Sequence, residues 1–414
     1  MDDSLIDTDT LSLSRKSRLP GTGFFYPDSL DDEYAEERTR DAVEGAGAVV
    51  IADADADGLG AVALIREMHD AALDVAPFET DLAARLRTGS ESGPGGDEAE
   101  AETETETEES PVALVAASPH SLKGALDRVA ASLEADTDVY VCDLCPDSVE
   151  AVDAALSALT KRAASVAWYD HHQWDAAVEA AVREAGVDLV VGDSDEECTT
   201  DVVLRSLDYD FSERFAELAR VTRDHDLWLN EDPRSKDLAD YAYWSSPEEY
   251  VAVVGTYGAD LPETVTDYVD HRRVEKEQLV ERAVDRAELK RVGEWTVGVT
   301  YGRCSQNEVA DALRERGADA AVIVKPAGSA SIRGSEGFER CHEVAALVNG
   351  GGHPKAAGCK PDIYDDMLDY AHHWTTGGAT TQRVILAAFE RVAETVTEND
   401  EGESEDEEGI DTER

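Results

Sequence analysis

Ala48-Val49-Val50-Ile51-Ala52-Asp53-Ala54-Asp55-Ala56-Asp57-Gly58-Leu59-Gly60 is the stretch on which the fold turns. It opens as a short apolar run, and from Gly60 to His69 apolar residues recur at a helical period, so it predicts a buried strand running into a helix. Between the two stand Asp53, Asp55 and Asp57, at every second position. In an extended segment this alternation points all three carboxylates to one side, and Gly58 lets the chain turn sharply. Three like charges on one side repel unless cations lie between them. A solvated acidic turn is the bland alternative. An EF-hand loop is a poor match, because its twelfth-position glutamate is missing.

The same rhythm continues outward. Apolar runs at Val112–Ala116, Asp138–Cys142, Ser165–Tyr169 and Val187–Val191 alternate with helical periods after Ser118, from Asp147 and after Trp174. That pattern predicts an α/β domain around a mostly parallel sheet. A second α/β pattern follows, with strands at Trp295–Tyr301, Ala320–Lys325 and Ser329–Gly334 and helices at Gln306–Arg316 and Arg340–Val348. The expected organisation is two α/β domains joined by a helical linker. It comprises a polar arm over 1–40, a sheet domain over 41–235, the linker over 236–292, a smaller domain over 293–397 and an acidic tail over 398–414. An insert over 89–110, rich in Gly, Glu and Thr, and the tail are expected to be disordered. The basic cluster Arg15, Lys16 and Arg18 reads as part of a solvated arm.

Composition narrows the setting. The 414 residues are 42% hydrophobic, enough to bury sizeable cores, yet 92 acidic residues face 37 basic ones, for a net charge of -55. Only nine of the basic residues are lysines. This acidity reads as a surface adapted to high salt, where a Debye length of roughly 3 Å screens carboxylate repulsion. Counterion release supplies little binding energy there, so a nucleic-acid site would rest on metals, arginines and stacking. Six scattered cysteines and the lack of an apolar leader after Met1 point to the cytoplasm, and no apolar run approaches the roughly 20 residues that span a bilayer. No membrane partner is expected.

Two further strand ends carry chemistry. Asp143 follows Asp138–Cys142, and Asp170-His171-His172 follows Ala167-Trp168-Tyr169. In an open α/β sheet, sites form beyond the carboxyl ends of strands, so these groups would converge with Asp53, Asp55 and Asp57 in one crevice. Carboxylates with imidazole suit Mn²⁺ or Mg²⁺, and a shared carboxylate can hold two ions about 4 Å apart for in-line chemistry at phosphorus. Arg223-Asp224-His225-Asp226-Leu227-Trp228 supplies a fourth acid. Cys142 and Cys145 have the spacing of half a zinc site, but no second pair exists and core packing is the expectation. His342, His372 and His373 read as surface or packed residues, and Trp228, Trp295 and Tyr301 as core aromatics within apolar runs, with stacking on bases as the alternative.

Together these motifs resemble the DHH phosphoesterase family, which includes RecJ exonucleases, nanoRNases, cyclic-dinucleotide phosphodiesterases and manganese pyrophosphatases. The resemblance runs from about Ala48 to Gly358. It implies that Asp55 and Asp57 match the first motif, Asp143 the second and Asp170 to His172 the third, with Asp224 the best match for the fourth and Asp226 its alternative. Asp143 would then bridge two Mn²⁺ or Mg²⁺ ions, with Asp55 on one and Asp57, His171 and Asp224 on the other. Asp53 takes the place where many members carry histidine, as in the RecJ pattern. His172 and Asp170 would serve the reaction itself. Gly350-Gly351-Gly352-His353 resembles the signature of the DHH-associated domain, and with Arg333 it would bind the substrate phosphate. The implied activity is a RecJ-like exonuclease on single-stranded DNA or RNA, alongside replication or repair proteins. A nanoRNase or cyclic-dinucleotide phosphodiesterase acting on short oligonucleotides, and a non-catalytic replication scaffold, are the alternatives.

Overall fold

The computed structural model describes residues 28–88, 110–119, 121–146, 148–364 and 367–408. The cluster Arg15, Lys16 and Arg18, nearly all of the 89–110 insert, and residues 409–414 lie outside them. The described chain divides between His271 and Arg272 into two compact units.

The first unit opens with α1 (Asp28–Val43), β1 (Ala48–Asp53), α2 (Ala56–Met68) and α3 (Ala76–Thr88). It continues with β2 (Val112–Ala117), α4 (Leu122–Ser132), β3 (Asp138–Cys142), α5 (Val149–Leu159), β4 (Ser165–Asp170), α6 (Ala176–Glu184) and β5 (Asp188–Val191). The five strands form one sheet in the order β2-β1-β3-β4-β5, and every pairing is parallel. Both faces of the sheet are covered, which is why its strands read as near-continuous apolar runs. Val50, Ala52, Tyr140, Ala167 and Tyr169 join one core with Leu59 and Val62 of α2. Val49, Ile51, Val139, Val141, Val166 and Trp168 join the other with Leu126, Leu156 and Val182.

Five more helices complete this unit: α7 (Thr199–Ser206), α8 (Glu213–Asp226), α9 (Pro233–Trp244), α10 (Pro247–Tyr257) and the first part of α11 (Glu263–Asp285). Here the structure differs from the expected linker over 236–292. Leu238, Tyr241, Trp244, Tyr250, Val253, Val265 and Val269 are buried in the same core as α2. A helical period with a buried face looks the same in sequence whether it spans a gap or caps a sheet.

The second unit holds β6 (Glu288–Val292), β7 (Trp295–Tyr301), α12 (Gln306–Glu315), β8 (Ala320–Val324), β9 (Ala330–Gly334), α13 (Cys341–Ala346), β10 (Gly350–Gly352), β11 (Ala356–Cys359), α14 (Met367–Thr375) and α15 (Ala379–Glu408). Its six strands are ordered β10-β11-β9-β8-β7-β6, with only β7 and β8 parallel. Both units are α/β, as expected. Two expectations fail here. The helical segment expected to run to 292 ends at Asp285, and β6 follows as an edge strand exposed at four of its five residues. The acidic tail from 398 was expected to lack structure, yet α15 runs on to Glu408 because Ile385, Phe389 and Val392 anchor its first half in the core. No described helix is long and apolar enough to cross a membrane.

Candidate metal centre

The carboxyl ends of β1 and β3 define the site, because the sheet order reverses between these two neighbours and leaves a crevice beyond their ends. The alternation read in sequence stops at Asp53, the last residue of β1. Asp55 instead caps α2, its carboxylate accepting from the amides of Asp57 and Gly58 at 3.0 Å each. A Cβ on Gly58 would stand 2.4 Å from the Asp53 carbonyl oxygen, so only glycine permits this close turn.

Asp57 lies in the first turn of α2 and is buried. Its carboxylate is held by the N-terminus of α7. Thr199 N donates to Oδ2 at 2.6 Å, while Thr200 N and Thr200 Oγ1 donate to Oδ1 at 2.8 and 2.7 Å. Thr199 Oγ1 also donates to Asp143 Oδ1 at 3.0 Å. These two threonines were not singled out from the sequence. The available signal was a pair of hydroxyl residues opening a helix straight after the fifth strand.

His171 Nε2 faces three carboxylates, 3.2 Å from Asp226 Oδ2, 3.7 Å from Asp143 Oδ1 and 3.9 Å from Asp57 Oδ2. His172 stands beside it, with Nδ1 3.8 Å from Asp143 Oδ1. Its Nδ1 donates to Asp170 Oδ1 at 2.7 Å, and Trp174 Nε1 donates to Asp170 Oδ2 at 2.6 Å. Asp170 is thus a fully buried anchor for His172, near enough to the carboxylate cluster for its charge to raise Asp143.

Of the two candidates on α8, Asp226 reaches the cluster and Asp224 does not. Asp224 accepts hydrogen bonds from the amides of Glu231 and Asp232 at 2.9 and 3.1 Å. Burial raises its pKa, but these bonds and one from Ser235 outweigh it and hold the carboxyl below its ordinary value.

The cluster carries charge that the protein alone does not neutralise. Burial, then repulsion from Asp57, Asp55, Asp170 and Asp226, push Asp143 well above the usual carboxylate range. Burial followed by the charges of Asp57 and Asp55 raises Asp226 to about 8. Asp53 is pushed up to about 7, first by burial and then by Asp55. Asp55 is an exposed residue, yet desolvation of its carboxyl and the charge of Asp57 raise it, with hydrogen bonds from the Gly58 amide and to Asp143 acting against them. His172 follows the opposite logic: burial lowers it, but the hydrogen bond and charge of Asp170, then Asp226 and Asp57, prevail and raise it to about 9.

A divalent cation fits this donor set. Two groups of potential ligand atoms, Asp57 with His171 and Asp226, and Asp143 with His171 and His172, each lie within 4.8 Å of one another. Around an octahedral ion bound at about 2.1 Å, neighbouring ligands stand about 3.0 Å apart and opposite ones about 4.2 Å. The three separations at His171 fall in that interval. Asp226 Oδ2, which faces His171, is buried and makes no hydrogen bond, as expected of an oxygen placed for a cation. Mixed carboxylate and imidazole donors suit Mn²⁺ or Mg²⁺.

A pH dependence follows. Without a cation, the raised carboxyls of Asp53 and Asp226 hold protons near neutrality, and a bound cation must displace them. Mn²⁺ affinity should therefore fall as pH drops from 8 to 6, with about one to two protons released per chain at pH 7. Calorimetric titration in buffers of different ionisation enthalpy measures that release. An affinity flat over this interval would contradict the crowding described above.

The expected substrate-binding residues lie in the second unit. Arg333 on β9 donates Nε to Asn307 Oδ1 at 2.9 Å and Nη1 to the Ile332 carbonyl at 3.1 Å. Burial, partly offset by Cys341 and reinforced by Arg314, lowers its pKa. Gly350, Gly351 and Gly352 form β10, an exposed edge strand paired with β11, and His353 is exposed in the turn between them. A Cβ at Gly350 would meet the Gly358 carbonyl oxygen at 2.2 Å and one at Gly352 would meet the Ala356 carbonyl oxygen at 2.6 Å, whereas Gly351 has open space. Gly350 and Gly352 are thus needed by the hairpin itself.

Fold and site together define a class: a doubly wound parallel sheet with a candidate divalent-metal centre at its switch point, followed by a smaller mixed-sheet unit. No family model and no curated protein sequence matches the chain. Among solved structures, the chain is similar to exonuclease RecJ bound to manganese, at 13% identity and TM-score 0.48 over 85% of this chain and 94% of the other. It is also similar to the DHH domain of a member of a family of ribosomal proteins, at 15% identity and TM-score 0.49 over 90% and 97%. A third, the pGpG-specific phosphodiesterase PggH from Vibrio cholerae, is 13% identical with TM-score 0.32 over 81% and 98%.

Proposed function

We propose that the chain is a metal-dependent phosphodiesterase of the DHH type, a RecJ-like exonuclease acting on single-stranded nucleic acid with Mn²⁺ or Mg²⁺. The observation that carries this reading is His171 Nε2 facing Asp57, Asp143 and Asp226 at the sheet's switch point, with two possible ligand groups sharing that histidine. Asp57, Asp143, His171 and Asp226 would hold the ions, with Asp53 and Asp55 beside them. When bound, the ions supply Lewis acidity that activates water and neutralises charge on the phosphate.

The protein's own groups do the rest. Thr199 and Thr200 fix the carboxylates of Asp57 and Asp143, so neither has to reorganise as charge develops. Asp170 orients His172 by accepting from Nδ1, which leaves Nε2 to meet a phosphate oxygen or the leaving oxygen. Within the second unit, Arg333 would supply a positive charge to a phosphate, and Gly351 leaves open space beside its strand.

The test is hydrolysis in molar KCl with Mn²⁺, comparing end-labelled single-stranded DNA and RNA twenty-mers with dinucleotides and cyclic dinucleotides. Stepwise shortening of the twenty-mers is the expected result. Cleavage restricted to the short substrates would move the chain to the nanoRNase reading. No cleavage of any substrate would favour a non-catalytic replication scaffold.

A further inference from the structure

Four consecutive backbone amides converge on Asp224. Leu229 N and Asn230 N donate to its carbonyl oxygen at 2.9 and 3.2 Å, and Glu231 N and Asp232 N donate to its two carboxylate oxygens at 2.9 and 3.1 Å. The chain leaving α8 is thereby closed into a fixed loop. Its far end is fixed as well, because Asp232 caps α9 through Arg234 N at 3.1 Å and binds the guanidinium groups of Arg220 and Arg234 at 2.7 Å each.

This braced loop presents two apolar side chains to solvent, followed by exposed Asn230 and Glu231. Trp228 is 51% exposed and Leu229 53%. Trp228 also sits at φ 56°, in the left-handed region where a bulky side chain is rare, and its amide is tied to the His225 carbonyl oxygen at 2.9 Å. Its ring lies 5.7 Å from the ring of His225 and 34° from parallel to it. A loop free to relax would turn the indole inward. Here it is held outward, two residues beyond the carboxylate that α8 sends into the metal centre. Strain maintained by surrounding bonds marks a position whose geometry is used.

The geometry points to Trp228 as a stacking platform for a nucleobase of the substrate whose phosphate lies at the metal centre. This rests on the phosphodiesterase reading and adds how the substrate is held. The charge of the chain argues for a base as the occupant. At a net charge of -55 the protein's field repels a polyanion at low salt, and at high salt attraction between arginine and phosphate is screened. Stacking needs no charge and accepts every base, since each offers a flat π face. Leu229 beside the indole extends the apolar rim.

The experiment uses the full chain in molar KCl with Mn²⁺ and two substrates, a 5′-phosphorylated dinucleotide and its abasic counterpart. Trp228→Ala should lower the ratio of their kcat/KM values about ten-fold, mainly through KM on the base-bearing substrate, and Trp228→Phe should restore most of it. A binding measurement stands apart from turnover: adenosine monophosphate should quench the tryptophan fluorescence of the parent chain more than that of Trp228→Phe. If the parent cleaves neither substrate, the phosphodiesterase reading fails and quenching alone decides the role of Trp228. Equal loss on both substrates, or equal quenching in the two proteins, overturns the proposal. So does a change in sedimentation of Trp228→Ala without a change in the ratio, which would make this surface a contact between copies.

Discussion

Asp143→Asn should abolish hydrolysis while leaving the metal-free chain at least as stable as its parent. Asp143 lies within reach of His171, His172 and Asp55, so losing its charge removes the carboxylate of one of the two candidate ion positions and a neighbour of the histidine they share. Metal Lewis acidity is worth several kcal/mol, which sets the expected loss at about a thousand-fold or more in kcat. The stability half depends on sign. A carboxyl whose folded pKa is raised binds its proton more tightly in the folded than in the unfolded chain, so it contributes less to stability as pH rises from the unfolded to the folded value. Replacing it with a neutral amide removes that penalty at neutral pH. Asparagine is chosen over alanine because residue 143 sits at φ 60°, a left-handed conformation that asparagine tolerates well. Thermal unfolding with and without Mn²⁺ should show the parent gaining stability from the ion and the variant gaining little. An active Asp143→Asn protein would sink the two-metal assignment.

Asp226→Asn and Asp224→Ala should separate binding from architecture. Asp226 directs Oδ2 toward His171 without a hydrogen bond to occupy it, so Asp226→Asn should weaken Mn²⁺ binding and reduce kcat by about a hundred-fold or more, with little change in metal-free unfolding. Asp224→Ala removes the acceptors for the Glu231 and Asp232 amides and for Ser235, and should cost about 2–4 kcal/mol of stability. Its activity at saturating Mn²⁺ should fall less than that of Asp226→Asn. The reverse ranking would return Asp224 to the role that the family resemblance implies for it.

That pair also shows where sequence stops being informative. Successive helical residues are rotated by about 100°, so positions 224 and 226 point to nearly opposite sides, and only one can face the sheet's crevice. Which one depends on how α8 rolls when Phe215, Leu218, Ala219 and Val221 bury, and that is a tertiary outcome. The strand ends at Asp53, Asp143 and Asp170 were legible because a strand's position in a parallel sheet fixes where its carboxyl end lies. Thr199 and Thr200 carry no charge and follow a strand of ordinary appearance, so nothing in their composition separated them from a routine helix start. Trp228 read as a core aromatic, with base stacking only as the alternative, because aromatics within apolar runs are usually buried. Its exposure arises from the hydrogen bonds at Asp224, which the sequence does not reveal.

The grip on Asp57 has a wider consequence. Its carboxylate takes bonds from two main-chain amides of α7, and the Asp55 carboxylate takes two from α2, so much of the centre's alignment is set by backbone. Backbone geometry survives replacement of the side chains that point away from it. Solvent-facing side chains elsewhere on the chain can therefore change, charge included, without moving the atoms that would meet the ions.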